Sequence, residues 1–99
     1  MAKEYEDLMK RAEDLQAKVQ AAQDELGKMT IRGIASNGQV IVDMDGKYNL
    51  KDLTIVPELL AEGAGVLTAV IKSAYDDAKN KVDMAIDKVM SVATEGMPV

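Results

Sequence analysis

The side chains with the clearest capacity for chemistry in this sequence are its cations. Lys3, Lys10, Arg11 and Lys18 fall in the opening third, and Lys72, Lys79, Lys81 and Lys88 in the closing third. Arg11 and Lys18 stand seven residues apart, a spacing that puts both on one face of a helix. Such a set can neutralise phosphates, and a second copy would present it twice. The same cations can also be matched locally. In Glu6–Lys10, Asp7–Arg11, Asp14–Lys18 and Asp24–Lys28 the acid precedes the base by four residues, the favourable order on a helix. The net charge of −5, from 12 basic and 17 acidic residues, opposes strong sequence-independent binding to DNA.

Other chemistries lack their residues. There is no His and no Cys, so the commonest general base, the commonest metal ligand, thiolate sites and disulfides are excluded. Asp76 and Asp77 are adjacent, and on a helix they diverge by about 100°, too far to share a proton. Glu62-Gly63-Ala64-Gly65 lacks the Lys-Ser/Thr ending of a phosphate loop. Asp43-x-Asp45-Gly46 is a turn rather than a calcium loop, because position twelve is Thr54. No catalytic centre, metal or cofactor is expected. The charged N-terminus does not read as a signal peptide, and no apolar run approaches membrane-spanning length, so a cytoplasmic protein is expected.

These residues must be positioned by a single domain, since 99 residues suffice for one. From Glu4 to Lys28 the apolar residues Leu8, Ala12, Leu15, Val19, Ala22, Leu26 and Met29 recur in alternating steps of four and three. That is the heptad seam of a helix built to pack on a helix. Such a helix is about 37 Å long, against about 20 Å for a small sheet, so part of the seam must project. The seam residues Leu8, Ala12, Leu15, Val19, Ala22 and Leu26 are therefore candidates for a homodimer interface of coiled-coil type. With no Phe, no Trp and three Tyr, the core has few large anchors, which also favours a partner surface. Five of the seven methionines, Met9, Met29, Met44, Met84 and Met90, fall at or near predicted apolar faces and are expected to fill the core.

Residues 30–56 read as a three-stranded antiparallel meander. Asn37-Gly38 and Asp45-Gly46 are hairpin turn pairs, dividing the runs Thr30–Ser36, Gln39–Met44 and Lys47–Val56. A two-residue Asn37-Gly38 loop pairs Ser36 with Gln39, Ala35 with Val40, Gly33 with Val42, Arg32 with Asp43 and Ile31 with Met44. Ile31, Gly33, Ala35, Val40, Val42 and Met44 then share the core face. A longer second loop or a bulge is needed before Leu53 and Ile55 can join it. Pro57 opens a short helical turn through Leu60, and residues 62–65 break the chain. Residues 66–94 form a second long helix, with Leu67, Val70, Ile71, Ala74, Ala78, Val82, Ala85, Ile86, Val89 and Ala93 on its apolar stripe. Residues 95–99 are a tail. The fold class is α+β, in the order α-β-β-β-α.

Five stretches, taken in order, resemble the YbaB/EbfC family. Leu8-Met9-Lys10-Arg11-Ala12 is similar to that family's Leu-Met-Lys-Gln-Ala-Gln opening. Ser36-Asn37-Gly38-Gln39-Val40-Ile41-Val42 with Gly46 is similar to its Gly-x-Val-x-Val-x-x-x-Gly hairpin. Leu53 to Leu60 resembles Val-x-Ile-Asp-Pro-x-Leu-Leu, Ala74-Tyr75-Asp76-Asp77-Ala78 resembles Ala-x-Asn-Asp-Ala, and Gly96-Met97-Pro98 resembles a shortened Gly-Met tail. Asp76 replaces the Asn of the family pattern. The resemblance implies a tweezer-like homodimer whose helices project from paired small sheets. It also implies a non-catalytic, nucleoid-associated DNA-binding protein with little sequence preference, affecting nucleoid organisation or gene expression. The acidic surface suits an alternative, a scaffold or adaptor that binds another protein through its projecting helices.

Overall fold

The computed structural model describes residues 2–93. The order is α1 (Ala2–Lys28), β1 (Ile31–Ala35), β2 (Val40–Met44), β3 (Leu50–Ile55), α2 (Pro57–Leu60) and α3 (Ala64–Ala93). The strands form one antiparallel sheet in the order β1-β2-β3. The expected tail and the last residue of the expected second helix, Thr94, lie outside the described residues.

The first hairpin has the anticipated register, from Ile31 opposite Met44 to Ala35 opposite Val40. Asn37 and Gly38 both have positive φ, 56° and 93°, and the Gln39 N–H donates to the Ser36 carbonyl at 3.2 Å, as a type I′ turn requires. Ser36 also has φ of 52°, so Ser36 and Gln39 form the ends of the turn rather than a ladder pair. Asp45-Gly46 does not form the expected turn pair. The loop runs through Asn49, and its positive φ, 66°, falls on Tyr48. Gly46 serves a different need. A Cβ there would lie 2.7 Å from both the Cβ and the carbonyl oxygen of Leu26, and the Gly46 N–H donates to that oxygen at 2.7 Å. The second hairpin is thereby tied to the end of α1. A bulge follows as expected, with Asp43 opposite Asp52 but Met44 opposite Leu50.

The helix α3 lies across β1 and β2. Val40, Val42, Met44, Leu59, Ala74, Ala78 and Val82 form the buried centre. Its closest approach is at Gly33, where an added Cβ would meet the Ala74 carbonyl oxygen at 2.3 Å. The helix does not extend over β3, and there the core face stays open. Leu53 pairs with Val42 and Leu50 with Met44, yet they are 39% and 56% exposed.

Away from the sheet α1 and α3 pack on each other through a second cluster of Ala22, Leu26 and Val89. Towards its N-terminus α1 leaves that contact. Leu8 is 64% exposed and Leu15 38%. The molecule measures 72 × 19 × 17 Å, with a radius of gyration of 19.8 Å, against about 13 Å for a compact chain of this length. It is a small sheet carrying a long helical arm. Met44 is buried and Met29 and Met90 are half-buried, whereas Met9 and Met84 are 46% and 70% exposed. Those two were expected in the core. Met9 lies on the part of α1 that no other element covers, and Met84 on the outward face of α3, whose opposite face packs Val82 and Ile86.

Three carboxylates hold the sheet and its loop. Asp43 accepts from Arg32 Nε at 3.0 Å and Nη2 at 3.3 Å, the anticipated cross-strand pair. Asp45 accepts from the Lys47 and Asn49 N–H groups and from Asn49 Nδ2, shaping the loop. Asp77 of α3 accepts from the Ile34 N–H at 2.9 Å and pairs with Lys81, whose ammonium donates to the Arg32 carbonyl at 3.1 Å. These two side chains occupy outward backbone groups of β1 and close that edge against further pairing.

Hydrogen bonding lowers the pKa of all three: from Arg32 for Asp43, from Asn49 for Asp45, and from the Ile34 amide for Asp77. A carboxylate held below its unfolded value, about 3.9, stabilises the fold fully above that value and less as pH falls through the folded one. Tm is therefore expected to be flat from pH 7 to about 5 and to fall below about 4. Thermal melts across that range check this, and Asp77→Asn should make the acid fall shallower.

Candidate nucleic-acid interface

The cations expected to act on DNA are distributed along the arm. Lys3, Lys10, Arg11 and Lys18 are exposed on α1, and Lys72, Lys79, Lys81 and Lys88 are exposed on α3. The local pairing anticipated for α1 does not form. Among the described residues the side-chain ion pairs are Arg32–Asp43 and Lys81–Asp77. Asp24 instead accepts from Gln20 Nε2 at 3.1 Å. Long, flexible side chains on an exposed helix gain too little from such pairs to be held in one geometry. The result bears on function, because Lys10, Arg11 and Lys18 keep their ammonium and guanidinium groups available to an external anion. Lys81 differs from the rest, since its ammonium is committed to Asp77 and the Arg32 carbonyl.

The structure brings two of these candidates together. Lys18 of α1 and Lys88 of α3 line one groove between the helices, of about 620 Å³, with Glu25 also on its wall. Its floor includes Ala22, Ala85 and Val89. Lys72 and Lys79 lie nearer the sheet on α3, seven residues apart and so on one face of it. Lys3, Lys10 and Arg11 lie along the projecting part of α1.

The six seam residues divide. Ala22 and Leu26 are buried against Val89 of the same chain, and Val19 is half-buried. Leu8, Ala12 and Leu15 are exposed. The periodicity found the helix face, but the part of it available to a second copy is the N-terminal half alone. Leu53 takes the core face expected of it but is exposed, as is Leu50 beside it, because nothing in the alternation of β3 says where α3 ends laterally.

Two carboxylates of α3 have structural partners. Asp77 is turned to the β1 edge, and Asp83 accepts from the Tyr48 hydroxyl, joining the second hairpin to α3. Among the described residues no cluster of three or more acidic groups could hold a metal ion, and no helix is long and apolar enough to cross a membrane.

An elongated chain carrying a three-stranded meander between two long helices, with cations free along both, fits the fold and the chemistry that the five sequence stretches implied. The sequence pattern of the YbaB/EbfC DNA-binding family matches residues 1–97. This chain belongs to the YbaB/EbfC family. It is 38% identical over 93 residues to a nucleoid-associated protein of Mesorhizobium japonicum, covering 93% of this chain and 87% of the relative. A nucleoid-associated protein of Polynucleobacter asymbioticus is 39% identical over 92 residues, with 93% and 85% covered. One from Bradyrhizobium diazoefficiens is 37% identical over 91 residues, with 91% and 86% covered. YbaB/EbfC proteins are non-catalytic DNA-binding proteins, in line with the reading that this chain is not an enzyme.

Proposed function

We propose that this chain is a nucleoid-associated protein that works as a homodimer, holding duplex DNA with little sequence preference through Lys and Arg side chains of its helical arms. The observation that carries the proposal is the freedom of those cations. Lys3, Lys10, Arg11, Lys18, Lys72, Lys79 and Lys88 make no ion pair among the described residues. Contacts of this kind go to phosphates, which position a protein on DNA without reading bases. The binding free energy comes from released counterions.

The second copy is supported at the sheet end. One sheet edge is closed by Asp77 and Lys81, while Leu50 and Leu53 lie open beside the other edge. The run Leu50-Lys51-Asp52-Leu53 is self-complementary about a twofold axis. In an antiparallel arrangement Leu50 faces the second copy's Leu53, and Lys51 faces its Asp52. Pairing there would leave two arms projecting, each with its own cations.

Replacing Arg11 and Lys18 together by Glu tests the DNA contact. Binding to long duplexes is expected to weaken by at least about tenfold, uniformly across sequences, with a shallower salt dependence. A mobility shift unchanged by the double substitution would remove these two residues from the interface.

A further inference from the structure

The N-terminal half of α1 carries an apolar stripe that its own chain does not cover. Leu8 and Leu15 continue the seam, and Tyr5 and Met9 widen it, at 65% and 46% exposure. By helical spacing Glu6 and Glu13 lie along one edge of this stripe, and Glu4 and Arg11 along the other. The groove between α1 and α3 has the opposite character. Its walls carry two ammonium groups, Lys18 and Lys88, against one carboxylate, Glu25, and its floor and rim are apolar, with Val92 63% exposed. An amphipathic helix whose borders are net acidic matches an apolar groove whose walls are net basic, the helix-in-groove mode of recognition. The tip cannot reach the groove of its own chain. Leu8 lies 14 residues before Ala22, about 21 Å farther along a rigid helix.

We propose that the α1 tip docks into the α1/α3 groove of a chain in a neighbouring dimer. Two arms lie antiparallel, each tip filling the other's groove. The proposal rests on the dimer reading above, since it takes pairing at the sheet end as the first association and docking at the arm tip as the second. The β3 edge shares no residue with the tip or the groove, so the two associations together link dimers into larger assemblies.

The chain has no cysteine, so engineered pairs report cleanly. The variant Leu8→Cys/Val92→Cys, oxidised without DNA, is expected to give disulfide-linked chains in high yield. Leu8→Cys/Glu62→Cys, with its second thiol at the sheet end, should remain unlinked. In sedimentation the unmodified chain is expected to pass from dimer to larger species as concentration rises from a few to several hundred micromolar. Leu8→Glu/Leu15→Glu should stay dimeric throughout. Linkage of Leu8→Cys/Val92→Cys no greater than in the Glu62 control, with a dimer present, would overturn docking and leave the dimer standing. Efficient linkage in a chain that is monomeric at dilution would support docking and remove the sheet-end dimer.

Discussion

Gly33→Ala is expected to cost about 3 kcal/mol or more, at the top of the range for overpacking a core. The added methyl group would sit 2.3 Å from the Ala74 carbonyl oxygen, 2.4 Å from the Ala78 amide nitrogen and 2.6 Å from the Ala78 Cβ. Two of these are backbone atoms in the middle of α3, so no rotamer change relieves the clash. The helix must lift from β1, and in lifting it uncovers Val40, Val42 and Met44, all within 1% of full burial. For a domain of this size each kcal/mol lowers Tm by about 4–8 °C, so the variant should melt at least about 12 °C below the parent. Gly65→Ala is the control. Nothing lies within 4 Å of a Cβ there, and the position is helical, so the change should be neutral or slightly stabilising. A Gly33→Ala melt within a few degrees of the parent would mean that α3 does not approach the sheet this closely.

Leu53→Glu is expected to convert the protein to a monomer at micromolar concentration while leaving each chain folded. In a single chain Leu53 is already 39% exposed, so a carboxylate there meets water and little of the core is lost. In the proposed dimer it would be desolvated beside the second copy's Leu50, an arrangement that leaves a buried charge unpaired. DNA affinity should fall with dissociation. Two arms on one duplex bind with an avidity that a single arm lacks, and the loss should reach about a hundredfold. Sedimentation gives the mass, circular dichroism the fold, and a mobility shift the affinity. A folded Leu53→Glu chain that remains dimeric would move the dimer contact away from β3, with the α1 stripe the next place to look.

Much of this was legible in the sequence, and the limits are instructive. The first hairpin could be registered to the residue because two independent signals coincide there. Asn37-Gly38 fixes the turn, and the alternation through Gly33, Val40, Val42 and Met44 fixes the face. Arg32 opposite Asp43 followed from those two. The second hairpin was less transparent because glycine has two uses. Gly38 supplies a positive φ, whereas Gly46 supplies room for Leu26. The sequence does not distinguish them, and the positive φ of that loop falls on Tyr48, a residue no turn preference would nominate. The seam of α1 gave a face but not its covering. Its C-terminal part, Ala22 and Leu26, packs on Val89, and its N-terminal part is bare. Of the cations, the sequence could name the set but not its state. Four expected i,i+4 pairs are open, and the pair that does form, Lys81 with Asp77, secures a strand edge rather than a helix face.

The central claim is that free Lys and Arg side chains on paired arms neutralise DNA phosphates. The most direct measurement is the affinity of the unmodified protein for a long labelled duplex, followed by anisotropy at several salt concentrations from 50 to 200 mM. If about six phosphates are contacted, affinity should fall about a thousandfold over that range, linearly in the logarithm of salt, with little change between unrelated sequences. No binding at the lowest salt would contradict the claim and favour a protein-binding adaptor.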